Sequence, residues 1–171
     1  HNRCRRQRQM CIRDRDWGGS LIRPEATGYG VVYFAEKMLH TIKDSLKNKI
    51  VAISGSGNVA QFACEKCIQL GAKVVTMSDS KGYIYDSDGI DTEKLSWIMN
   101  LKNIKRARIS EYIKKYPNAS FHESKVPWEV KVDLALPCAT QNELSEKDAQ
   151  LLVKNKCCLL YTSDAADDTC C

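Results

Sequence analysis

The run Ile50-Val51-Ala52-Ile53-Ser54-Gly55-Ser56-Gly57-Asn58-Val59-Ala60 constrains this chain more than any other feature. An apolar stretch meets a glycine-rich turn, and a helical pattern begins at once. The spacing Gly-x-Gly-x-x-Ala is that of a dinucleotide-binding βαβ unit. Gly55 allows the sharp exit from the strand. Gly57 lacks a side chain and leaves a path for a pyrophosphate. Ala60 is small enough for helix and strand to approach closely. The backbone N–H groups of Ser56, Gly57, Asn58 and Val59, at the positive end of a helix dipole, then face the phosphates. The motif alone also fits a glycine-rich turn with no ligand, so its surroundings decide.

Those surroundings read as an α/β domain. Residues 58–70 place Val59, Phe62, Ala63, Cys67 and Leu70 on one helical face, and Gly71 stops the helix. Val74-Val75-Thr76-Met77 predicts a second strand. It leads into Ser78-Asp79-Ser80-Lys81, a polar cluster where the adenine ribose of a dinucleotide would sit. Pro24 suits a helix start, and Gly28, Val31, Val32, Ala35, Met38 and Leu39 share a face after it. Tyr83-Ile84-Tyr85 predicts a short strand inside a turn-rich excursion. Asp91 caps a helix over about 92–103, and a second helix covers about 108–115. Phe121 starts a short strand. Val132–Leu136 reads as a buried parallel strand running into Pro137-Cys138-Ala139-Thr140. Ser145 with Asp148 has the form of a capping box for a helix reaching about 154. Alternating strands and helices predict a Rossmann-like, doubly wound parallel sheet. Its ligand lies at the carboxyl ends of the strands, near 55–58, 79–81 and 137–142.

The chain is 171 residues long with a net charge of +5, which is room for one ordinary domain. The positive charge is local: Arg3, Arg5, Arg6, Arg8, Arg13 and Arg15 precede residue 17, and the remainder is nearly balanced. No basic stripe with interleaved aromatics points to nucleic acid. No segment is apolar and long enough to span a membrane, and the N-terminus has no apolar signal region. Nine cysteines would suit a disulfide framework, but six lie near the ends. Cys64 and Cys67 form a C-x-x-C inside a predicted helix. A redox pair and half a zinc site are both open to them. Two helix residues a turn apart, packed on the sheet, fit better, because no second ligand pair has zinc spacing and the histidines are scattered. The cysteine pattern points to a reducing compartment, read as the cytoplasm. Residues 1–16 and 158–171 have no periodicity and read as non-native or disordered tails, which leaves 17–157 as an incomplete domain truncated on its C-terminal side. An Arg-rich nucleic-acid arm or targeting peptide is the other reading of the start.

Several phrases together resemble one family. Gly18–Gly30 (Gly-Gly-Ser-Leu-Ile-Arg-Pro-Glu-Ala-Thr-Gly-Tyr-Gly) is similar to the entry of the cofactor domain in the hexameric glutamate dehydrogenases of the Glu/Leu/Phe/Val dehydrogenase family. Ser54–Gln61, Ser78-Asp79-Ser80-Lys81-Gly82 and Leu136–Leu144 (Leu-Pro-Cys-Ala-Thr-Gln-Asn-Glu-Leu) resemble it as well. The resemblance covers about residues 17–157. It implies a two-domain enzyme with its cleft between a substrate-binding, hexamer-forming domain and a nicotinamide-binding domain, of which this chain is most of the second. It implies oxidative deamination of L-glutamate to 2-oxoglutarate and ammonia, in a homohexamer. The family's catalytic lysine belongs to the upstream domain and has no match here, so no catalytic residue is assigned and the chain is expected to hold cofactor without catalysing.

By the same resemblance Thr27 would contact the nicotinamide carboxamide and Asn58 the phosphate or ribose region. Thr140 and Asn142 would lie near the nicotinamide ribose. Asp79 after the second strand favours the free 2′-hydroxyl of NAD. Against that, the Ser-Asp-Ser cluster is similar to NADP-linked members, and Ser80, Lys81, Lys102, Lys105, Arg106 and Arg108 could supply charge-assisted bonds to a 2′-phosphate. The reading is NADP, with NAD left open. A related leucine or phenylalanine dehydrogenase and a nucleotide-sensing module without catalysis are the alternatives. No metal is expected.

Overall fold

The computed structural model describes residues 24–140 and 143–161. The Arg-rich start, Gly18–Arg23 and Asn142 lie outside the described residues.

Six strands form one sheet: β1 (Ile50–Ile53), β2 (Lys73–Asp79), β3 (Gly82–Tyr85), β4 (Ser120–Glu123), β5 (Leu134–Leu136) and β6 (Leu159–Leu160). Their spatial order is β4-β3-β2-β1-β5-β6. β1 pairs parallel with β2 and β5, and β5 pairs parallel with β6. β3 runs antiparallel to both β2 and β4. The sheet is thus mostly parallel, as the Rossmann-like α/β expectation has it, with β3 running against its two neighbours. The cause is local. Only Ser80 and Lys81 separate β2 from β3, and two residues can close a hairpin but not a parallel crossover.

Among the described residues five α-helices accompany the sheet: α1 (Ala26–Thr41), α2 (Asn58–Gln69), α3 (Thr92–Met99), α4 (Tyr112–Lys115) and α5 (Glu146–Lys154). A π-helical turn, Asn100–Ile104, prolongs α3. Asp91 caps α3 by accepting from Lys94 N–H at 2.8 Å. Ser145 and Asp148 close a reciprocal capping box on α5, which satisfies two of the N–H groups a helix start leaves open.

Alternation along the central strands sends side chains to two cores. Val51, Ile53, Val74, Met77, Leu134 and Leu136 join α1 and α2 residues on one face. Ala52, Val75 and Ala135 meet Trp128, Val132 and Leu152 on the other. Helix α2 buries Ala60, Ala63, Cys64 and Cys67. Phe62, expected on that face, is half-buried and instead meets Tyr29 of α1 edge-on, with centroids 6.0 Å apart. The deeper stripe is rotated toward the small residues because α2 packs between the sheet and α1.

The C-terminal boundary expected at 157 is also corrected for the described residues. Leu134 aligns with Leu159 and Ala135 with Leu160. Tyr161 stacks on Phe34 of α1 at 4.5 Å. Residues 158–161 therefore belong to the packed domain; backbone pairing supplied what their lack of periodicity did not reveal.

Candidate dinucleotide site at the carboxyl ends of the strands

The turn after β1 is held from both sides by its neighbours. At the β1–β2 contact the register slips between Val51 and Ala52. The buried Thr76 hydroxyl takes up the loss, accepting Ile53 N–H at 3.1 Å and donating to Ile53 O at 3.2 Å. One step on, Ser78 Oγ accepts Gly55 N–H at 2.7 Å, and Ser78 N–H donates to Gly55 O at 3.0 Å. From the β5 side, Ser54 Oγ accepts Cys138 N–H at 2.9 Å and donates to Glu143 Oε1 at 2.8 Å. Glu143 Oε1 also accepts Ala139 N–H at 3.1 Å. Burial pushes the Glu143 carboxyl up, opposed by the Ser54 and backbone hydrogen bonds that favour its charged form.

Gly55 has φ +81°, and a Cβ there would stand 2.9 Å from Cys138 O. Both backbone conformation and space therefore require glycine. Gly57 differs: its φ is −83° and a Cβ would meet no atom of the described residues within 4 Å. No conformational demand of the protein explains a glycine at that position. Its bare face is what a group approaching the backbone would need. Gly57 is also the N-cap of α2 and contributes no capping side chain, so no side-chain oxygen of the cap covers the first-turn N–H groups that would receive an anion.

Some of the expected residues lie at this turn and others at the end of β2. Asn58 Nδ2 donates to Pro24 O, and a Cβ on Gly28 would touch Val59 O, so the start of α1 with Thr27 lies beside the start of α2. Ser56 is buried, and its carbonyl accepts from Gln61 Nε2 at 2.8 Å. Thr140 is exposed on the loop after β5. At the far end of β2, Arg108 Nη1 donates to Ser80 Oγ at 2.8 Å. Lys102 Nζ lies 3.7 Å from Asp79 Oδ2. Ser80 and Lys81, both exposed, form the hairpin turn beside them. Lys105 and Arg106 are exposed on the same segment.

Two residues that hold the site were not singled out from the sequence. Glu143 ties the ends of β1 and β5 together, and Gln61 exchanges hydrogen bonds with Asn103, at 3.0 and 3.2 Å. The partners are 89 and 42 residues apart in the chain, respectively, and no spacing rule could find them.

Cys64 and Cys67 are both free and buried in the core. Burial drives the Cys67 thiol up to about 12 and raises that of Cys64 as well. The structure thus places the C-x-x-C as packed helix residues.

Fold and site together define an α/β domain of the dinucleotide-binding architecture. The sequence model of the family described as Glutamate/Leucine/Phenylalanine/Valine dehydrogenase matches residues 18–162, and the chain belongs to that family. It is 59% identical over 139 residues to the NADP-specific glutamate dehydrogenase of Haemophilus influenzae, covering 81% of this chain and 31% of that protein. It is 61% identical over 140 residues to the NAD(P)-specific glutamate dehydrogenase of Xylanibacter ruminicola, covering 82% of this chain and 31% of that one. Among solved structures it is similar to Plasmodium falciparum glutamate dehydrogenase 2, with TM-score 0.81 and 51% identity over 88% of this chain and 33% of that chain. The chain thus spans about a third of the length of these relatives.

Proposed function

We propose that this chain is the cofactor-binding part of an NADP-linked glutamate dehydrogenase, an enzyme that interconverts L-glutamate with 2-oxoglutarate and ammonia. The carrying observation is the open backbone face at Gly57 together with the Lys102–Asp79 and Arg108–Ser80 pairs at the end of β2. The first would receive the pyrophosphate and the second the adenosine end. The nicotinamide supplies the hydride. The protein's share of the chemistry is to hold that ring at a fixed place against a substrate carbon.

This chain's residues divide that work. Gly55 and Gly57 set the turn, and Ser56, Asn58 and Val59 supply backbone N–H groups at the start of α2. Thr27, Thr140 and Asn142 serve the nicotinamide end. Lys102, Arg108, Ser80 and Lys81 serve the 2′-phosphate. The glutamate and 2-oxoglutarate site, the catalytic lysine, the homohexamer and a cytoplasmic setting belong to this reading of the longer protein. Among the described residues no helix is long and apolar enough to cross a membrane.

Fluorescence titration of the purified chain with NADPH and NADH tests the proposal. Saturable binding that favours NADPH is expected, with no glutamate-dependent reduction of NADP above a blank. Absence of binding to either cofactor would refute it.

A further inference from the structure

In many dinucleotide folds an acidic side chain after the second strand accepts a hydrogen bond from the ribose. The carboxylate of Asp79 is turned the other way. Its Oδ1 accepts Lys81 N–H at 2.8 Å. Its Oδ2 accepts Ile109 N–H at 3.0 Å and faces Lys102 Nζ at 3.7 Å. Only 6% of the side chain is exposed. Both oxygens are therefore engaged inside the protein.

The groups it joins are separate in the chain. On one side is the Ser80–Lys81 hairpin turn. On the other is the segment that leaves the π-helical turn, passes Arg106 at φ +50°, and reaches Arg108 and Ile109. That segment is anchored further by Ala107 N–H on Leu101 O at 3.0 Å and by Lys102 Nζ on Ala107 O at 3.3 Å. Ile109 itself is fully buried. Arg108, next to it, can reach Ser80 because Ile109 N–H is held on Asp79.

We propose that Asp79 is a positioning residue for cofactor selection. Its carboxylate clamps the Ser80–Lys81 turn to Ile109, and so sets Ser80, Lys102 and Arg108 around the place of a 2′-phosphate. The inference rests on the NADP reading given above. It carries an unusual sign. A carboxylate beside a phosphate repels it, so removing the charge would by Coulomb's law alone tighten binding of a 2′-phosphate. Removing a clamp scatters the cations and loosens it.

The test is equilibrium titration of the full chain with 2′,5′-ADP and with 5′-AMP, before and after Asp79→Asn. The asparagine keeps the size but has a single acceptor oxygen, so it cannot serve both N–H groups as the carboxylate does. The clamp predicts that 2′,5′-ADP weakens by roughly tenfold or more, the worth of a charge-assisted hydrogen bond, while 5′-AMP changes by less than about twofold. Unchanged or tighter 2′,5′-ADP binding, or an equal loss for 5′-AMP, overturns it. A second measurement uses the unmodified chain and does not depend on the variant's folding. The Asp79 carboxyl ¹³C resonance should stay in place on saturation with 5′-AMP, and a clear shift identifies a ribose ligand instead. Parent protein that binds neither probe refutes the dinucleotide reading; parent protein that binds both equally refutes the NADP reading. The inference falls with either.

Discussion

Gly28 of α1 lies directly against the Val59 carbonyl of α2: a Cβ on Gly28 would stand 2.6 Å from that oxygen and 2.8 Å from Ala63 N. Both obstacles are backbone, which cannot rotate away. This contact fixes the spacing of the two helices at the turn that carries Gly57. Gly28→Ala should therefore separate α1 from α2 and cost about 1–3 kcal/mol by overpacking. A Cβ on Gly30, two residues on, would meet no atom of the described residues within 4 Å, and Gly30→Ala should stabilise by roughly 0.5–1 kcal/mol through helix propensity. Thermal melts of the two variants check this; equal effects would show that the helices are not in close contact.

Gly57→Val should abolish NADPH binding and leave the domain folded. The parent φ of −83° suits any residue, and the new Cβ would meet no atom of the described residues within 4 Å. It would fill the approach to the first-turn N–H groups. Circular dichroism should match the parent while the NADPH titration goes flat. A flat titration with a collapsed spectrum would mean that Gly57 serves the fold.

Replacing Lys102 and Arg108 together with Ala should weaken NADPH by roughly 1.5–3 kcal/mol for each charged hydrogen bond lost, with little change for NADH. Exposed charges are screened, so the loss should shrink as salt rises. Equal weakening of both cofactors would assign these residues to general electrostatics or to folding.

Burial at Cys67 makes stability depend on alkaline pH. The thiol ionises near 9.0 when exposed and is pushed up to about 12 in the fold. Above pH 9 the unfolded chain releases a proton that the folded chain retains. Stability is therefore lost as pH rises from 9 towards 12, at about 1.4 kcal/mol per pH unit from this group when fully developed. Cys67→Ala should lower stability at pH 7 by removing packed volume, yet flatten the slope of stability against pH between 9 and 10.5. Denaturant melts across that range measure both effects; an unchanged slope would remove Cys67 as its source.

Local patterns carried much of the architecture. The Ile50–Ile53 strand, the turn at Gly55–Gly57, the Asp91 cap and the Ser145–Asp148 box are each written in neighbouring residues, because dihedral limits and first-turn hydrogen bonding act over three or four positions. The quoted motifs likewise sufficed to identify the family. Contacts between distant segments were not legible. No periodicity in Cys158–Tyr161 announces β6, which exists because Leu134 and Ala135 present a free strand edge to it. The Ser54–Glu143 bond and the Gly28–Val59 contact join residues that only folding makes neighbours. Sequence could place Asp79 at the end of β2, but a carboxylate has several acceptor directions. Which groups fill them depends on where Ile109 and Lys102 come to rest, and only the packed structure decides that.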